Sequence, residues 1–151
     1  MTLLPVSHYQ QQQQSDCLVA CTFMVLDYLQ VPINYQRLEK LLRAMSGGTP
    51  FRNLRYIESI GLSVLIEDGN IETLRRHLVS GLPPIVALNS GQLLSYWPEQ
   101  TDHAVVVLGI ENNLIYLYRL RSKTTLGKHY RNPYPPCALD PVARLVARTT
   151  R

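Results

Sequence analysis

One segment of the sequence, residues 17–29, constrains the fold more than any other because it is apolar at nearly every position. Only Thr22 and Asp27 interrupt it. A helix that is apolar all round must be buried on most sides, so this segment predicts a central helix. Ser15 or Asp16 can cap its first turn with a side-chain oxygen, which places Cys17 at the start of the helix.

The rest of the chain shows helical patterns first and strand patterns afterwards. Amphipathic spacing with capping and stop residues predicts helices at residues 34–45, from Thr49-Pro50 to Gly61, and from Asn70 to Gly81. Short apolar runs predict strands at residues 62–66, 85–88, 104–110 and 114–120, the last two forming a hairpin. Residues 89–101, around Trp97-Pro98, are expected to form a loop. This order predicts an α+β fold in which a helical N-terminal half packs on a C-terminal antiparallel sheet.

The charge of the chain is unevenly distributed. The 151 residues carry a net charge of +4 and are enough for one compact domain. Residues 1–118 hold seven Lys and Arg against ten Asp and Glu, a net charge of −3, whereas residues 119–151 hold eight basic residues against Asp140 alone, a net charge of +7. We therefore divide the chain into a domain over residues 1–118 and a basic, proline-rich, irregular tail over residues 119–151. The abrupt change suggests an atypical C-terminus, such as a shifted reading frame would produce.

Several classes of protein are disfavoured by the sequence. The basic tail has no known nucleic-acid module and only Tyr130 and Tyr134 as stacking aromatics, so nucleic-acid binding is not expected. No apolar run approaches the roughly 18 residues that span a bilayer, and residues 1–14 do not resemble a signal peptide, so we expect a cytoplasmic chain without a membrane span. Three cysteines, Cys17, Cys21 and Cys137, do not fit a disulfide framework and leave at least one free thiol.

Cys17 and His103 are the candidate catalytic pair. The positive end of a helix favours a thiolate, which is the nucleophilic form of cysteine. The alternative is that Cys17 only fills space, because cysteine is among the most frequently buried residues. His103 stands at the start of the apolar strand at 104–110, where a polar side chain is out of pattern unless it faces a cleft or simply ends the strand. His8, His77 and His129 are weaker candidates, since they fall in the N-terminal arm, on the exposed side of a predicted helix and in the basic tail.

A buried helix that begins with cysteine, followed by a strand that begins with histidine, is the arrangement of papain-like enzymes. Over about residues 6–118 the sequence resembles the bacteriocin-processing, double-glycine-leader cysteine peptidases and their stand-alone relatives. The resemblance rests on Gln11-x-x-x-x-Asp16-Cys17-Leu-Val-Ala-Cys and on Asp102-His103-Ala-Val-Val-Val-Leu-Gly-Ile. It implies a papain-like fold and hydrolysis of peptide bonds by a Cys–His thioester mechanism.

The resemblance also implies a role for Gln11. In these enzymes the glutamine six residues before the cysteine donates to the oxyanion, together with the backbone N–H of the cysteine itself. Amide donors aimed at a developing oxyanion are worth about 3 to 4 kcal/mol each. Because residues 10–14 are all glutamine, the spacing alone selects Gln11, and the alternative for the whole run is a solvated polar tract.

The sequence departs from the family pattern at two places. Leu18 stands where many members have glycine, which narrows access to the thiol without removing a reacting atom. The family usually places Asp or Asn on the strand after the histidine strand, but the residues expected opposite His103, at 119–122, are Arg-Leu-Arg-Ser. Asp102 points to the opposite face of the strand from His103. Asp140 and Asn132, each followed by proline, and a true absence of the third residue remain open alternatives.

Two functions follow from the resemblance. The first is a cysteine peptidase with Cys17, His103 and Gln11 as its catalytic residues and a peptide or protein as its substrate. The second is a catalytically impaired domain of the same fold that binds peptides or a partner protein, since the third residue is not located. A zinc site from Cys17, Cys21, His103 and Cys137 lacks the paired spacing of such sites, so no metal and no cofactor are expected.

Overall fold

The computed structural model describes residues 3–13, 15–89, 102–111, 114–118, 130–131 and 142–147, and at nine strand positions, His103 among them, it describes the backbone alone. The helices are α1 (Cys17–Tyr28), α2 (Tyr35–Leu41) and α3 (Ile71–Val79), with a 3-10 helix at Phe51–Ile60. The strands are β1 (Leu62–Glu67), β2 (Ile85–Asn89), β3 (Asp102–Glu111), β4 (Leu114–Leu117), β5 (Tyr130–Arg131) and β6 (Val142–Ala147).

The strands form one sheet in the order β1-β6-β2-β3-β4-β5, and every neighbouring pair is antiparallel. Helices precede most of the strands along the chain, as the sequence predicts. The mixture of helices and an antiparallel sheet confirms the predicted α+β class.

The helix α1 is buried on nearly all sides, as its apolar sequence requires. Eight of its twelve residues are buried, while Asp27 is exposed. Thr22, the other polar interruption, is also buried, and its hydroxyl donates to the Leu18 carbonyl at 2.7 Å. This bond satisfies the hydroxyl within the helix, so the polar residue costs little in the core. α1 is therefore the central helix.

The sheet is covered on both faces. On one face, Ala104, Val106 and Leu108 of β3 join the core cluster that contains α1. On the other face, Val105 and Val107 pack with Leu74 of α3. Because side chains alternate along a strand, β3 can contribute to both cores at once, and its apolar run over residues 104–108 is buried throughout.

The predicted second helix is shorter in the structure than in the sequence pattern. Asn34 caps α2 as expected, since its side chain accepts from the backbone N–H groups of Gln36 and Arg37. The helix ends at Leu41, and Arg43 adopts a left-handed backbone conformation with φ of 55°. Met45, predicted as the last apolar position of the helix, is consequently exposed.

The tail is not irregular throughout, which corrects the sequence-based expectation for residues 130–131 and 142–147. β5 pairs with β4, and β6 lies inside the sheet between β1 and β2. Ala143 and Leu145 of β6 are buried in the α1 core, so this part of the tail supplies apolar side chains in spite of its basic surroundings. The division of the chain at residue 118 stays a prediction.

Candidate active site

Cys17 is the first residue of α1 and is partly exposed, whereas Cys21, one turn later, is fully buried. Burial raises the pKa of the Cys21 thiol well above its usual range, and the nearby Cys17 raises it further. A thiol that stays protonated in the core is chemically inert. Of these two cysteines, only Cys17 is accessible, and Cys21 is a core residue.

Asp16 immediately precedes α1 but does not cap it, which corrects the predicted role of this side chain. No side chain caps the first turn of α1. The Asp16 carboxylate points instead toward the residues before it and accepts from the backbone N–H groups of Gln12 at 3.2 Å and Gln13 at 3.1 Å. It also accepts from the Tyr35 hydroxyl at 2.6 Å. The buried carboxylate thus has three donors.

We call residues 11–13 the glutamine segment, because Gln14 lies outside the described residues. Its bonds are largely local: the Gln11 side-chain amide donates to the Gln13 carbonyl at 2.6 Å, and the Gln12 amide donates to the Tyr9 hydroxyl at 2.7 Å. The chain bends at Gln12 and Gln13, just before α1, and both residues are exposed. The oxyanion role of Gln11 stays a prediction.

The N-terminal arm is tied to the sheet and leads the chain to the start of α1. The Leu4 N–H donates to the Leu108 carbonyl at 3.0 Å, at the irregularity that shifts the register of β3 and β4 between Val107 and Gly109. The Tyr118 hydroxyl donates to the Val6 carbonyl at 2.6 Å. These bonds anchor the arm across β3 and β4.

His103 is the second residue of β3, where its backbone pairs with Leu88 of β2. The following residues of β3 share a core with α1, so the strand that carries the predicted base and the helix that begins with Cys17 are packed together. The imidazole of His103 lies outside the described part of the structure, and its role as a base stays a prediction.

The positions proposed for a third catalytic residue, at 119–122, 132 and 140, also lie outside the described residues. Their chain neighbours are described. Val142, at the start of β6, pairs with Val86, which in turn pairs with Val105, two residues from His103. Arg131 pairs with Leu114, at the hairpin end of β4.

The structure corrects the predicted exposure of His77. The side chain is 1% exposed, and its Nε2 lies 2.6 Å from Oε1 of Glu67 at the end of β1. Arg76 also donates to both carboxylate oxygens of Glu67, at 3.1 and 3.2 Å. The helical spacing from Leu74 to His77 was the available signal, since residues three apart share a helix face.

A pocket of about 290 Å³ lies beside the start of α1. Ser15 and Asp16 line one side of it, and Lys40, Arg43 and Met45, at and beyond the end of α2, line the other.

Within the described residues no group of three or more His, Cys, Asp or Glu side chains could hold a metal ion. In the same part of the chain, no helix has the length and apolar character needed to cross a membrane.

Comparisons with known proteins show the family of the chain. A model of the peptidase C39 family matches residues 6–130, which include Gln11, Cys17 and His103. No curated protein matches the chain.

Three solved structures share the fold at low sequence identity. A C39-like peptidase from Bacillus anthracis superposes with a TM-score of 0.74 at 14% identity, over 98% of both chains. A double-glycine-motif protease of an AMS/PCAT transporter, in complex with the leader peptide, gives 0.72 at 16% identity over 98% of this chain and 94% of its own. The peptidase domain of Streptococcus ComA, a bifunctional ABC transporter in a quorum-sensing pathway, gives 0.72 at 18% identity over 93% and 96%.

Proposed function

Because the chain belongs to the peptidase C39 family of cysteine peptidases, we propose that it hydrolyses peptide bonds through a thioester on Cys17. The observation that carries the proposal is the contrast between two thiols on one helix. Cys17 is partly exposed at the N-terminus of α1, and Cys21 is sealed in the core.

In the proposed mechanism, His103 takes the Cys17 proton and the sulfur attacks the carbonyl carbon of the substrate. The C–N bond of the tetrahedral intermediate then breaks, and the amine product leaves with the proton from the imidazolium. Water, deprotonated by the same imidazole, attacks the thioester and releases the acid product and the free thiol. Packing of β3 against α1 supports this pairing, since it brings the two chain segments into one core.

The oxyanion formed in both steps would be stabilised by the Gln11 side-chain amide and the Cys17 backbone N–H. The N–H groups at the start of a helix have no partner within the helix, so they are available to an anion. In the present structure the Gln11 amide donates to the Gln13 carbonyl. A side-chain amide has two N–H donors, so we expect one N–H to keep this bond while the other donates to the oxyanion.

The partner of the second nitrogen of His103 stays open among Asp140, Asn132 and a true absence, since positions 132 and 140 lie outside the described residues.

The substrate is proposed to be a peptide or an exposed protein segment. One structural relative is complexed with the leader peptide, which supports a peptide substrate for this chain. The pocket between Ser15, Arg43 and Met45 adjoins the start of α1 and offers a place for substrate residues next to the scissile bond.

The proposal is tested by measuring cleavage of a peptide library and alkylation of the cysteines at near-neutral pH. Wild-type protein is expected to cleave and to alkylate at Cys17 faster than a model thiol does, as located by mass spectrometry. Cys17→Ala should abolish cleavage. Cys21→Ala, which removes a buried thiol from the same helix, is the matched control and should retain it.

A second function, binding of peptides without turnover, is favoured by the absence of a carboxylate at residues 119–122. Loss of the orienting residue costs about four decades of turnover in a well-studied triad. The same experiment separates the two functions. Equal cleavage by wild type and Cys17→Ala, together with retained peptide binding, would replace the peptidase proposal with the binding one.

A further inference from the structure

The buried contact between Asp16 and Tyr35 connects α2 to the residues that precede the nucleophile. Tyr35 is the first residue of α2 and is 5% exposed, and Asp16 is 4% exposed. A buried carboxylate is costly unless donors surround it. Tyr35 supplies the shortest of the three bonds that Asp16 accepts, at 2.6 Å, and comes from a separate helix.

The other two bonds to Asp16 come from the glutamine segment. The Gln13 peptide unit is used on both sides: its N–H donates to Asp16, and its carbonyl accepts from the Gln11 side-chain amide. A continuous chain of hydrogen bonds therefore runs from the Tyr35 hydroxyl through the Asp16 carboxylate and the Gln13 peptide to the Gln11 amide.

Aromatic packing also holds the chain just before the glutamine segment, at Tyr9, against Tyr35. The centroid of the Tyr9 ring lies 5.1 Å from that of Tyr35 and 4.7 Å from that of Phe23. The Tyr9 hydroxyl accepts a hydrogen bond from the Gln12 side-chain amide. Tyr35 thus contacts the chain both before the segment, at Tyr9, and after it, at Asp16.

We propose that Tyr35 is a positioning residue, which acts through Asp16 to hold the glutamine segment against the start of α1 and so places the Gln11 amide for the oxyanion. The inference rests on the proposed function of Gln11. Tyr35 touches neither substrate nor nucleophile in this role, and its hydroxyl works only as a hydrogen-bond donor. Burial and the Asp16 carboxylate both raise the pKa of Tyr35, so the Tyr35 hydroxyl stays protonated at the near-neutral pH of the assay.

The experiment compares Tyr35→Phe with Tyr28→Phe. Tyr28 is the matched control because its hydroxyl also donates to an acceptor, the Gly81 carbonyl at 2.7 Å, but from the opposite end of α1. Tyr35→Phe is expected to lower kcat about tenfold or more with little change in KM, since small displacements of a catalytic group are costly. The alkylation rate of Cys17 should stay within about twofold of wild type, because the thiol is not the target of the effect.

A double-mutant cycle with Gln11→Ala decides whether Tyr35 acts through Gln11. If it does, Tyr35→Phe has little further effect on kcat once Gln11 is removed. An equal loss in both backgrounds, or a parallel fall in Cys17 alkylation, would overturn the proposal. Asp16→Asn, which keeps the size of the side chain and weakens its acceptors, is the second variant and should show the same dependence on Gln11 if Tyr35→Phe folds poorly.

A readout without turnover separates this proposal from the proposed function. Amide hydrogen exchange at Gln12 and Gln13, measured by NMR, should accelerate several-fold in Tyr35→Phe and stay unchanged in Tyr28→Phe. Unchanged exchange in Tyr35→Phe would refute the positioning role of Tyr35, whatever the activity of the variant. Faster exchange in a protein that shows no Cys17-dependent cleavage would instead support the positioning of the glutamine segment by Tyr35 and reject the peptidase proposal.

Discussion

Single residues near the N-terminus of α1 owe their behaviour to what surrounds them rather than to their type. Cys17 and Cys21 are one helical turn apart, yet only Cys21 is sealed in the core. The position of Cys17 at the start of a buried helix was predictable from the apolar run that follows it. The partners of Asp16 were not, because Tyr35 is 19 residues away in sequence and no local pattern specifies that contact. Tyr35 does lie three residues before Leu38, on the same helix face.

The ionisation of Tyr35 should couple folding to alkaline pH. Burial and the Asp16 carboxylate raise the pKa of Tyr35 above the ordinary value of 10.0, so the native state keeps this proton after the unfolded chain begins to lose it. The stabilisation is present in full below pH 10 and decreases as the pH rises above it, by up to about 1.4 kcal/mol per pH unit. Urea unfolding of wild type and Tyr35→Phe from pH 9 to 11 measures this. The free energy of unfolding should fall more steeply for wild type, and identical slopes would contradict the assignment.

At the level of elements, the existence of α1, α2, α3 and β1 to β4 was predictable because each has a clear period, cap or turn. The burial of His77 was predictable only in part: its spacing from Leu74 places both residues on one helix face. Its partner was not predictable, because Glu67 reaches α3 from the end of β1 and no helical period specifies a contact with a strand.

The contact between Glu67 and His77 should stabilise the packing of α3 on the sheet. Glu67→Ala leaves the imidazole without this partner in the core, which is expected to cost about 1 to 3 kcal/mol of the free energy of unfolding. Glu72→Ala is the control, because the Glu72 carboxylate lies 4.0 Å from Arg75 on the same helix with 88% of its side chain exposed. Its effect should stay within about 0.5 kcal/mol. Urea denaturation measures both, and equal effects would show that the buried pair contributes nothing specific.

At the scale of the whole molecule, the fold is not completed within the region that resembles the family. The matched region ends at residue 130, whereas β6, at residues 142–147, fills a place between β1 and β2. Composition misled the prediction here, because charge and proline content describe the surface of the tail and its turns. The strand itself is apolar at five of its six positions, all but Arg144, so a local signal was present and the composition of the surrounding tail outweighed it.

The position of β6 makes the C-terminal part of the chain essential to folding. β1 is joined to the rest of the sheet through β6, so a chain that stops at residue 141 loses both of these pairings and uncovers the core at Val64 and Ile85. Loss of an interior strand removes a large share of the stability of a small domain, which is only about 5 to 15 kcal/mol. Chain 1–141 is therefore expected to be insoluble or to lack a cooperative thermal transition in near-ultraviolet circular dichroism. Chain 1–147, which removes four residues and keeps β6, is the control and should unfold cooperatively. A cooperative transition of chain 1–141 at the Tm of chain 1–147 would contradict this prediction, because residues 1–141 would then fold stably without β6.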